Sequence, residues 1–196
     1  MAISAGSMDV VAALSLTIVL AAALLLVASG FAKIRGPLPT ARALYAADLP
    51  AGFVVVRMLG VLEGVVGAAA FTSLAGGVDS DTAVIPLGAL AALYMGFAAF
   101  LAFVMLSGRS SGSCGCAGST DLPPSWLHVC ANALVVATTG IVYLEYAERE
   151  VPALIDGGVL SPALRGALVA LSAYLTYLAF LRSAGARSFS HATSRR

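Results

Sequence analysis

Charged residues are scarce in this chain of 196 residues, where Asp, Glu, Lys and Arg make up only 11%, against about 25% in a soluble domain. Hydrophobic residues make up 60%. This balance excludes a disordered chain and an ordinary cytosolic enzyme, because too few polar side chains remain to cover a water-exposed surface. The formal net charge of +1 excludes the strongly basic surface of a nucleic-acid-binding protein. The composition indicates an integral membrane protein.

Side chains suited to redox or metal chemistry are few as well. The chain has 3 cysteines and 2 histidines, so any thiol or soft-metal chemistry has to rest on this small set. What fills the sequence instead is a series of long apolar runs. Their positions are the first guide to the fold.

These runs predict an all-α integral membrane protein, a bundle of five transmembrane helices. A bilayer core is roughly 30 Å thick and needs about 20 consecutive apolar residues in a helix. Lipid offers the backbone no hydrogen-bond partner, so helices are expected, and the continuous rather than alternating apolar pattern excludes spanning β-strands. The predicted spans are 10–31, 49–75, 84–107, 126–144 and 160–181.

Glycine, proline and polar residues separate the predicted spans, at 36–39, 76–81, 110–124 and 152–162. We therefore predict one polytopic membrane bundle over residues 1–182 and a basic, disordered tail over 183–196. The first span is expected to remain as an uncleaved anchor, because its apolar run is longer than that of a signal peptide and no Lys or Arg precedes it.

The Lys and Arg residues are unevenly shared between the two sides of the predicted bundle. One side receives nine of the 11, which predicts a cell-membrane protein with its N-terminus outside and its C-terminus in the cytoplasm. The same count places the third connection, with Arg109, on the cytoplasmic side. The nine are Lys33, Arg35, Arg42, Arg57, Arg109, Arg182, Arg187, Arg195 and Arg196.

The most informative motif lies in that third connection, where Cys114-Gly115-Cys116 is followed by Ala117 and Gly118. Two thiols one residue apart close a very small ring, and strained or exposed disulfides are the labile, oxidising ones. Gly115 gives the backbone the freedom that such a ring demands. Cys130, shortly after the connection, is a candidate resolving thiol. The pattern favours thiol–disulfide exchange with a partner protein.

Two other interpretations of these residues stay open. In one, Cys114, Cys116, Cys130 and His128 bind a soft metal ion, although His128 and Cys130 lie two apart and point to nearly opposite faces of a helix. In the other, the loop cysteines have no role and Cys130 is a small apolar residue.

Glu63 lies near the middle of the second predicted span, where a charge is costly unless it is paired or neutral. It is a candidate for carrying a proton during thiol exchange, or for a hydrogen bond to a neighbouring helix. Lys33 and Arg35 are interpreted as interfacial anchors at the end of the first helix. Asn132, early in the fourth span, either orders the cysteine loop or bonds to another helix.

Several of these segments together resemble the MauE/DoxX group of redox-associated membrane proteins. They are Ser29 to Pro37 at the end of the first span, Leu62-Glu63-Gly64 with Gly67, Cys114 to Gly118, and Asn132. The resemblance covers about residues 14–146. It implies a four-helix core, to which the fifth predicted span is an addition, with Cys114 and Cys116 as the redox pair and Glu63 as a core polar residue.

The resemblance also implies a function. MauE-type proteins are associated with methylamine utilisation, where they are thought to help the disulfide-rich small subunit of methylamine dehydrogenase mature. DoxX-type relatives are associated with quinone-linked or thiol-redox complexes, which leaves a quinone open as a cofactor. We predict a membrane thiol–disulfide redox carrier, a candidate oxidoreductase with a thioredoxin-like or other thiol partner. The alternatives are a soft-metal or small-solute transporter and a non-catalytic anchor of an oxidoreductase complex.

Overall fold

The computed structural model describes residues 5–76, 80–108 and 125–148. Within these ranges the chain is all helical, which confirms the predicted fold class. There are five helices: α1 (Ala5–Arg35), α2 (Leu38–Ala46), α3 (Phe53–Gly76), α4 (Ser80–Leu106) and α5 (Trp126–Glu148).

Four of these helices, α1, α3, α4 and α5, are long and apolar enough to cross a membrane. They correspond to the first four predicted spans. The predicted fifth span, 160–181, and the predicted tail, 183–196, lie outside the described residues. The chain is therefore a multi-pass membrane protein with at least these four crossings.

α1 ends at Arg35, as expected from Lys33 and Arg35 at the end of the first helix and from the Gly36 and Pro37 that follow, although the predicted span itself stops at residue 31. α3 begins at Phe53 rather than at 49. The residues before it form a turn in which Asp48 has a φ of 57°, a left-handed conformation that Asp adopts more readily than most residues.

The short helix α2 was missed by the sequence analysis, which treated the two prolines near it as a break. Pro37 precedes the helix and Pro39 lies in its first turn, where a residue without a backbone N–H costs nothing. α2 packs against α3. The chain between the first two crossings is therefore ordered as a helix rather than as an irregular loop.

The four long helices form a ring in which α1 packs on α3, α3 on α4, α4 on α5, and α5 on α1. The core in the middle of the ring is built mainly of leucine, valine and alanine, including Val19, Leu26, Ala70, Leu87 and Val142. Many large apolar side chains also lie exposed on the outside, such as Met58 and Ile85. In lipid that outer surface needs no polar cover, so the ring suits a membrane interior.

Glycines bring α1 and α3 into backbone contact. A Cβ built on Gly30 would collide with the carbonyl oxygen of Gly60 and lie 2.8 Å from the amide nitrogen of Gly64. A Cβ on Gly67 would lie 2.6 Å from the carbonyl oxygen of Ala23. Such small residues drive close helix packing in membranes. The contacts run in opposite sense along the two helices, so α1 and α3 are antiparallel.

One end of the bundle carries α2, and we call it the α2 end. α1 finishes there and α3 begins there, because α2 joins them. Successive crossings alternate in direction, so α4 also finishes and α5 also begins at the α2 end. The connection between α4 and α5, residues 109–124, thus leaves and re-enters the described structure on the side of the membrane where α2 lies.

Candidate functional site

A buried ion pair joins α1 to α3. The Nζ of Lys33 lies 2.8 Å from Oε2 of Glu63, and the two side chains are 2% and 0% exposed. Glu63 is eleventh in the 23-residue membrane span of α3, so its carboxyl group lies near mid-membrane depth. Charged groups at that depth are expensive to bury, and they are a functional-site hypothesis by default.

Helix geometry explains how two residues from different levels of the bundle meet. Side chains on a helix lean towards its N-terminus. Lys33, in the last turn of α1, therefore reaches back into the bundle. Glu63 lies on the antiparallel α3 and leans towards the α2 end. The two long side chains approach each other from opposite directions along the helix seam.

Two further groups hold the ammonium group of Lys33. Its Nζ donates a hydrogen bond to the hydroxyl oxygen of Ser29, 2.6 Å away and one helical turn earlier. It also lies 5.9 Å from the centroid of the Phe97 ring on α4, within range of a cation–π attraction. The ring of Phe97 meets Tyr94 edge-on at 6.0 Å, and the Tyr94 hydroxyl donates to the carbonyl oxygen of Ala22 at 2.8 Å. Three helices thus fix the ion pair in place.

The carboxylate of Glu63 is only partly satisfied. Its Oε2 accepts the hydrogen bond from Lys33, while the buried Oε1 has no hydrogen-bond partner among the described residues. Buried polar atoms nearly always have a partner, and functional sites are where exceptions gather. An acid and a base in contact inside lipid can exchange a proton, and Oε1 is an available acceptor.

The structure corrects our interpretation of Lys33 as an interfacial anchor. Its side chain is buried and paired, because its length lets it reach a carboxylate deeper in the membrane. Arg35 does lie exposed, with its guanidinium carbon 4.1 Å from the centroid of the Phe31 ring. The two basic residues thus have different roles although they lie two positions apart. The sequence signal that could have distinguished the role of Lys33 from that of Arg35 was Glu63, because a carboxylate inside the membrane requires a nearby cation.

The three cysteines are placed unevenly. Cys114 and Cys116 lie outside the described residues, so their pairing stays a prediction. Cys130 is exposed on α5 and forms no disulfide with any described residue. It lies one turn after Trp126, the first residue of α5, and therefore close in sequence to the cysteine-bearing connection.

His128 and Asn132 bond within their own helical segment. The Nδ1 of His128 lies 2.7 Å from the Ser125 hydroxyl oxygen, and the Asn132 side chain donates to the carbonyl oxygen of His128 at 2.8 Å. Among the described residues, Asn132 thus bonds within its own helix. No group of three or more potential ligands among His, Cys, Asp and Glu occurs in the described part of the chain. Of the four candidate soft-metal ligands, only His128 and Cys130 fall inside it.

A cleft that no sequence pattern predicted opens beside the ion pair. Its volume is about 270 Å³. Its walls come from α1 to α4, with Lys33 of α1, Leu44 of α2, Leu59 of α3, and Phe97 and Phe100 of α4 among them. Nearly all of the lining is apolar. The cleft was unforeseen because α2, which closes one side of it, was unforeseen.

Comparison with protein-family models gives one finding. The model described as methylamine utilisation protein MauE matches residues 11–145. The match takes in the four membrane-crossing helices, the ion pair and the cysteine-bearing connection. It confirms the MauE part of the resemblance noted from the sequence, and leaves the DoxX part without confirmation. No curated protein and no solved structure matches the chain. With well over half of its length matched, this multi-pass membrane protein belongs to the MauE family and is thereby linked to methylamine utilisation.

Proposed function

We propose that this protein is a membrane thiol–disulfide redox carrier that serves the maturation of an electron-transfer enzyme of methylamine utilisation. The observation that carries the proposal is the Cys114-Gly115-Cys116 motif in the connection that leaves and re-enters the bundle at the α2 end. The buried Lys33–Glu63 pair lies in the same half of the bundle as the α2 end. The family match supports the biological setting.

The exchange step balances without any bound cofactor. A thiolate of the partner attacks one sulfur of the Cys114–Cys116 disulfide, so that bond breaks and a mixed disulfide forms. The partner's second thiolate then displaces the chain's sulfur. The partner leaves with a disulfide, having lost two electrons, and Cys114 and Cys116 are left reduced, each taking up a proton. A thioredoxin-like partner would run the same steps in either direction.

Supporting roles fall to Cys130 and Glu63. Cys130 is exposed at the start of α5, where it serves as a resolving thiol for a mixed disulfide. Glu63 serves as a proton acceptor, since its Oε1 has no hydrogen-bond partner in the described structure. Lys33 contacts the other oxygen of the same carboxyl group, Oε2, at 2.8 Å.

The test compares Cys114→Ser and Cys116→Ser with Ser113→Ala, a change in the same connection that removes no thiol. In purified full-length protein equilibrated with glutathione buffers, thiol labelling should show a reversible disulfide in the wild type and in Ser113→Ala, and none in either cysteine variant. Growth on methylamine should fail with both cysteine variants. If both cysteine variants support growth and leave the oxidation state of the partner's thiols unchanged, the redox proposal is wrong.

The alternatives make different predictions for the same material. A soft-metal transporter would bind Cu(I) or Hg(II) tightly at one-to-one stoichiometry through these cysteines. A non-catalytic anchor would keep its partner after loss of all three thiols.

A further inference from the structure

The basic residues of the described ranges all lie at the α2 end. Arg35 is the last residue of α1, Arg42 lies in α2, and Arg57 is the fifth residue of α3. Lys33 is the remaining basic residue, but its pairing with Glu63 leaves it no net charge to contribute. At the opposite end, the described helix ends carry no basic residue and four acidic ones, namely Asp9, Asp81, Glu145 and Glu148. Positive charge is therefore confined to one end of the described bundle.

Helix packing places Arg35 and Arg57 at the same depth. A Cβ built on Gly60 would lie 3.1 Å from the Cβ of Lys33 and 3.2 Å from Cγ1 of Ile34, so this level of α3 meets the last turn of α1. Arg57 lies nearly one turn closer to the α2 end. Arg35 ends the apolar span of α1, and the span of α3 begins four residues before Arg57. Both arginines therefore lie near the boundary of the hydrocarbon region.

The short helix α2 exposes a face that suits the surface of a membrane. Leu38, Arg42 and Tyr45 follow one another at spacings of four and three residues, so they share one face of the helix. All three are exposed, Tyr45 by 78%. Thr40 and Ala43 are buried on the other side, and α2 packs against α3. Leucine and tyrosine beside arginine on an exposed face are typical of a helix that lies in the plane of the interface.

Each of the three arginines has an exposed aromatic residue one turn away on its own helix. In the α1 pair, the guanidinium carbon of Arg35 lies 4.1 Å from the centroid of the Phe31 ring. Aromatic side chains with one apolar and one polar neighbour favour the depth of the lipid headgroups. The three arginines are thus flanked by residues of the headgroup region. The pairs are Phe31–Arg35, Arg42–Tyr45 and Phe53–Arg57.

The charges of these arginines are not balanced by the described protein. Neither Arg42 nor Arg57 forms a salt bridge with a described residue. Apart from the buried Glu63, Asp48 is the one acidic residue of the α2 end within the described ranges, so a net positive charge remains. Guanidinium groups match phosphate oxygens through paired N–H donors. A phospholipid headgroup carries such a phosphate at the depth of these residues.

We propose that the α2 end binds the headgroups of anionic phospholipids of the phosphatidylglycerol type through Arg35, Arg42 and Arg57. A zwitterionic lipid offers the same phosphate but adds a cation that the arginines repel, so this surface selects the anionic lipid. The proposal is independent of the thiol exchange proposed above, because no cysteine takes part in it. It is also independent of which side of the membrane the α2 end faces.

The test uses full-length protein in phosphatidylcholine vesicles that contain a trace of spin-labelled phosphatidylglycerol or spin-labelled phosphatidylcholine, labelled on the same acyl chain. Electron paramagnetic resonance separates lipid immobilised on the protein from lipid in the free bilayer, and the ratio gives the relative association of the two lipids. One variant changes all three arginines to glutamine, and a second changes all three to lysine. Arg149→Gln is the matched control, since Arg149 directly follows α5 at the end away from α2.

We expect the wild type to prefer phosphatidylglycerol. An attraction of about 1 kcal/mol for each arginine near an anionic surface corresponds to about fivefold for the headgroup beside it. Averaged over all lipids around the bundle, the preference should be about twofold or more. The triple glutamine variant should bind both lipids about equally, and Arg42→Gln alone should lose part of the preference, which keeps the test decisive if the triple variant is unstable. The lysine variant, Arg149→Gln and Cys114→Ser/Cys116→Ser should keep the preference.

Three outcomes would overturn the proposal. One is equal association of both lipids with the wild type. Another is a triple glutamine variant that folds and keeps the full preference, which would leave the arginines to an acidic protein surface instead. The third is an equal loss in Arg149→Gln, which would mean that the overall charge of the protein, and not the α2 end, attracts the lipid.

Discussion

Lys33 and Glu63 are 30 positions apart in the sequence and on different helices, yet the Nζ of one lies 2.8 Å from Oε2 of the other inside the bundle. Neither side chain would be stable as an unpaired charge at this depth. An unpaired ammonium or carboxylate in the bilayer interior is strongly unfavourable. The pair therefore forms a single feature, and its two members should be tested together.

Breaking the ion pair from one side should destabilise the bundle more than removing it altogether. We expect Lys33→Met or Glu63→Leu alone to cost about 3–5 kcal/mol, and the double variant Lys33→Met/Glu63→Leu to regain most of that loss. Denaturation in mixed micelles, followed by circular dichroism, measures the difference. Additive losses in the double variant would mean that the two side chains do not interact. A double variant that folds normally but fails to support growth on methylamine would assign the pair a functional role.

The glycine contact between α1 and α3 should tolerate no added methyl group on the α1 side. Gly30→Ala would press a Cβ against the backbone of Gly60 and Gly64, and we expect a loss of about 1–3 kcal/mol from overpacking. Gly64→Ala is the control, because a Cβ there meets nothing within 4 Å. The same denaturation assay compares them. Equal stability of the two variants would show that α1 and α3 move apart easily enough to accommodate the added methyl group.

The hydroxyl group of Tyr94 should contribute to stability through its bond to the Ala22 carbonyl oxygen, which links α4 to α1. We expect Tyr94→Phe to cost about 0.5–1.5 kcal/mol, the range for such bonds between membrane helices. Tyr143→Phe, at a side chain that is 38% exposed, should be close to neutral. If Tyr143→Phe costs as much stability as Tyr94→Phe, the contribution of the hydroxyl group does not depend on its burial.

The charge distribution predicts which side of the membrane carries the cysteine motif. In a chain whose only cysteine is Cys114, a membrane-impermeant maleimide should label from the cytoplasmic side, because nine of the 11 Lys and Arg residues fall on that side. In a cysteine-free background, S194C should label from the same side and D79C from the opposite one. Labelling of Cys114 from outside, together with labelling of D79C from the cytoplasmic side, would reverse the predicted orientation.

The crossings were predictable from sequence because each depends on a local property, an apolar run long enough for the bilayer. Glu63 was also found from sequence, since an acidic residue inside such a run stands out. Lys33 was misassigned because its local sequence is typical of a different role. It lies where an apolar run ends, and a basic residue there usually anchors a helix at the interface. Its partner Glu63 lies 30 positions later in the sequence, beyond α2, and the contact is visible only when α1 and α3 are packed together.

The cleft illustrates a different limit of sequence reasoning. Its walls combine α2 with residues of three other helices, and none of them carries a motif. Pro37 and Pro39 were taken as helix breakers, although proline before and in a first helical turn is compatible with helix formation. Without α2 there is no cleft, so an error about two prolines hid a cavity of about 270 Å³.

The backbone contact between α1 and α3 also sets a register. If the helices slid past each other by one turn, about 5.4 Å, Lys33 would lose Glu63 and two charges would be stranded in hydrocarbon. The glycines permit the close approach of α1 and α3, but a contact made of glycines alone would also let the two helices slide along each other. The ion pair stabilises one register of α1 against α3. Because α2 joins these two helices, that register also determines where α2 lies relative to the membrane.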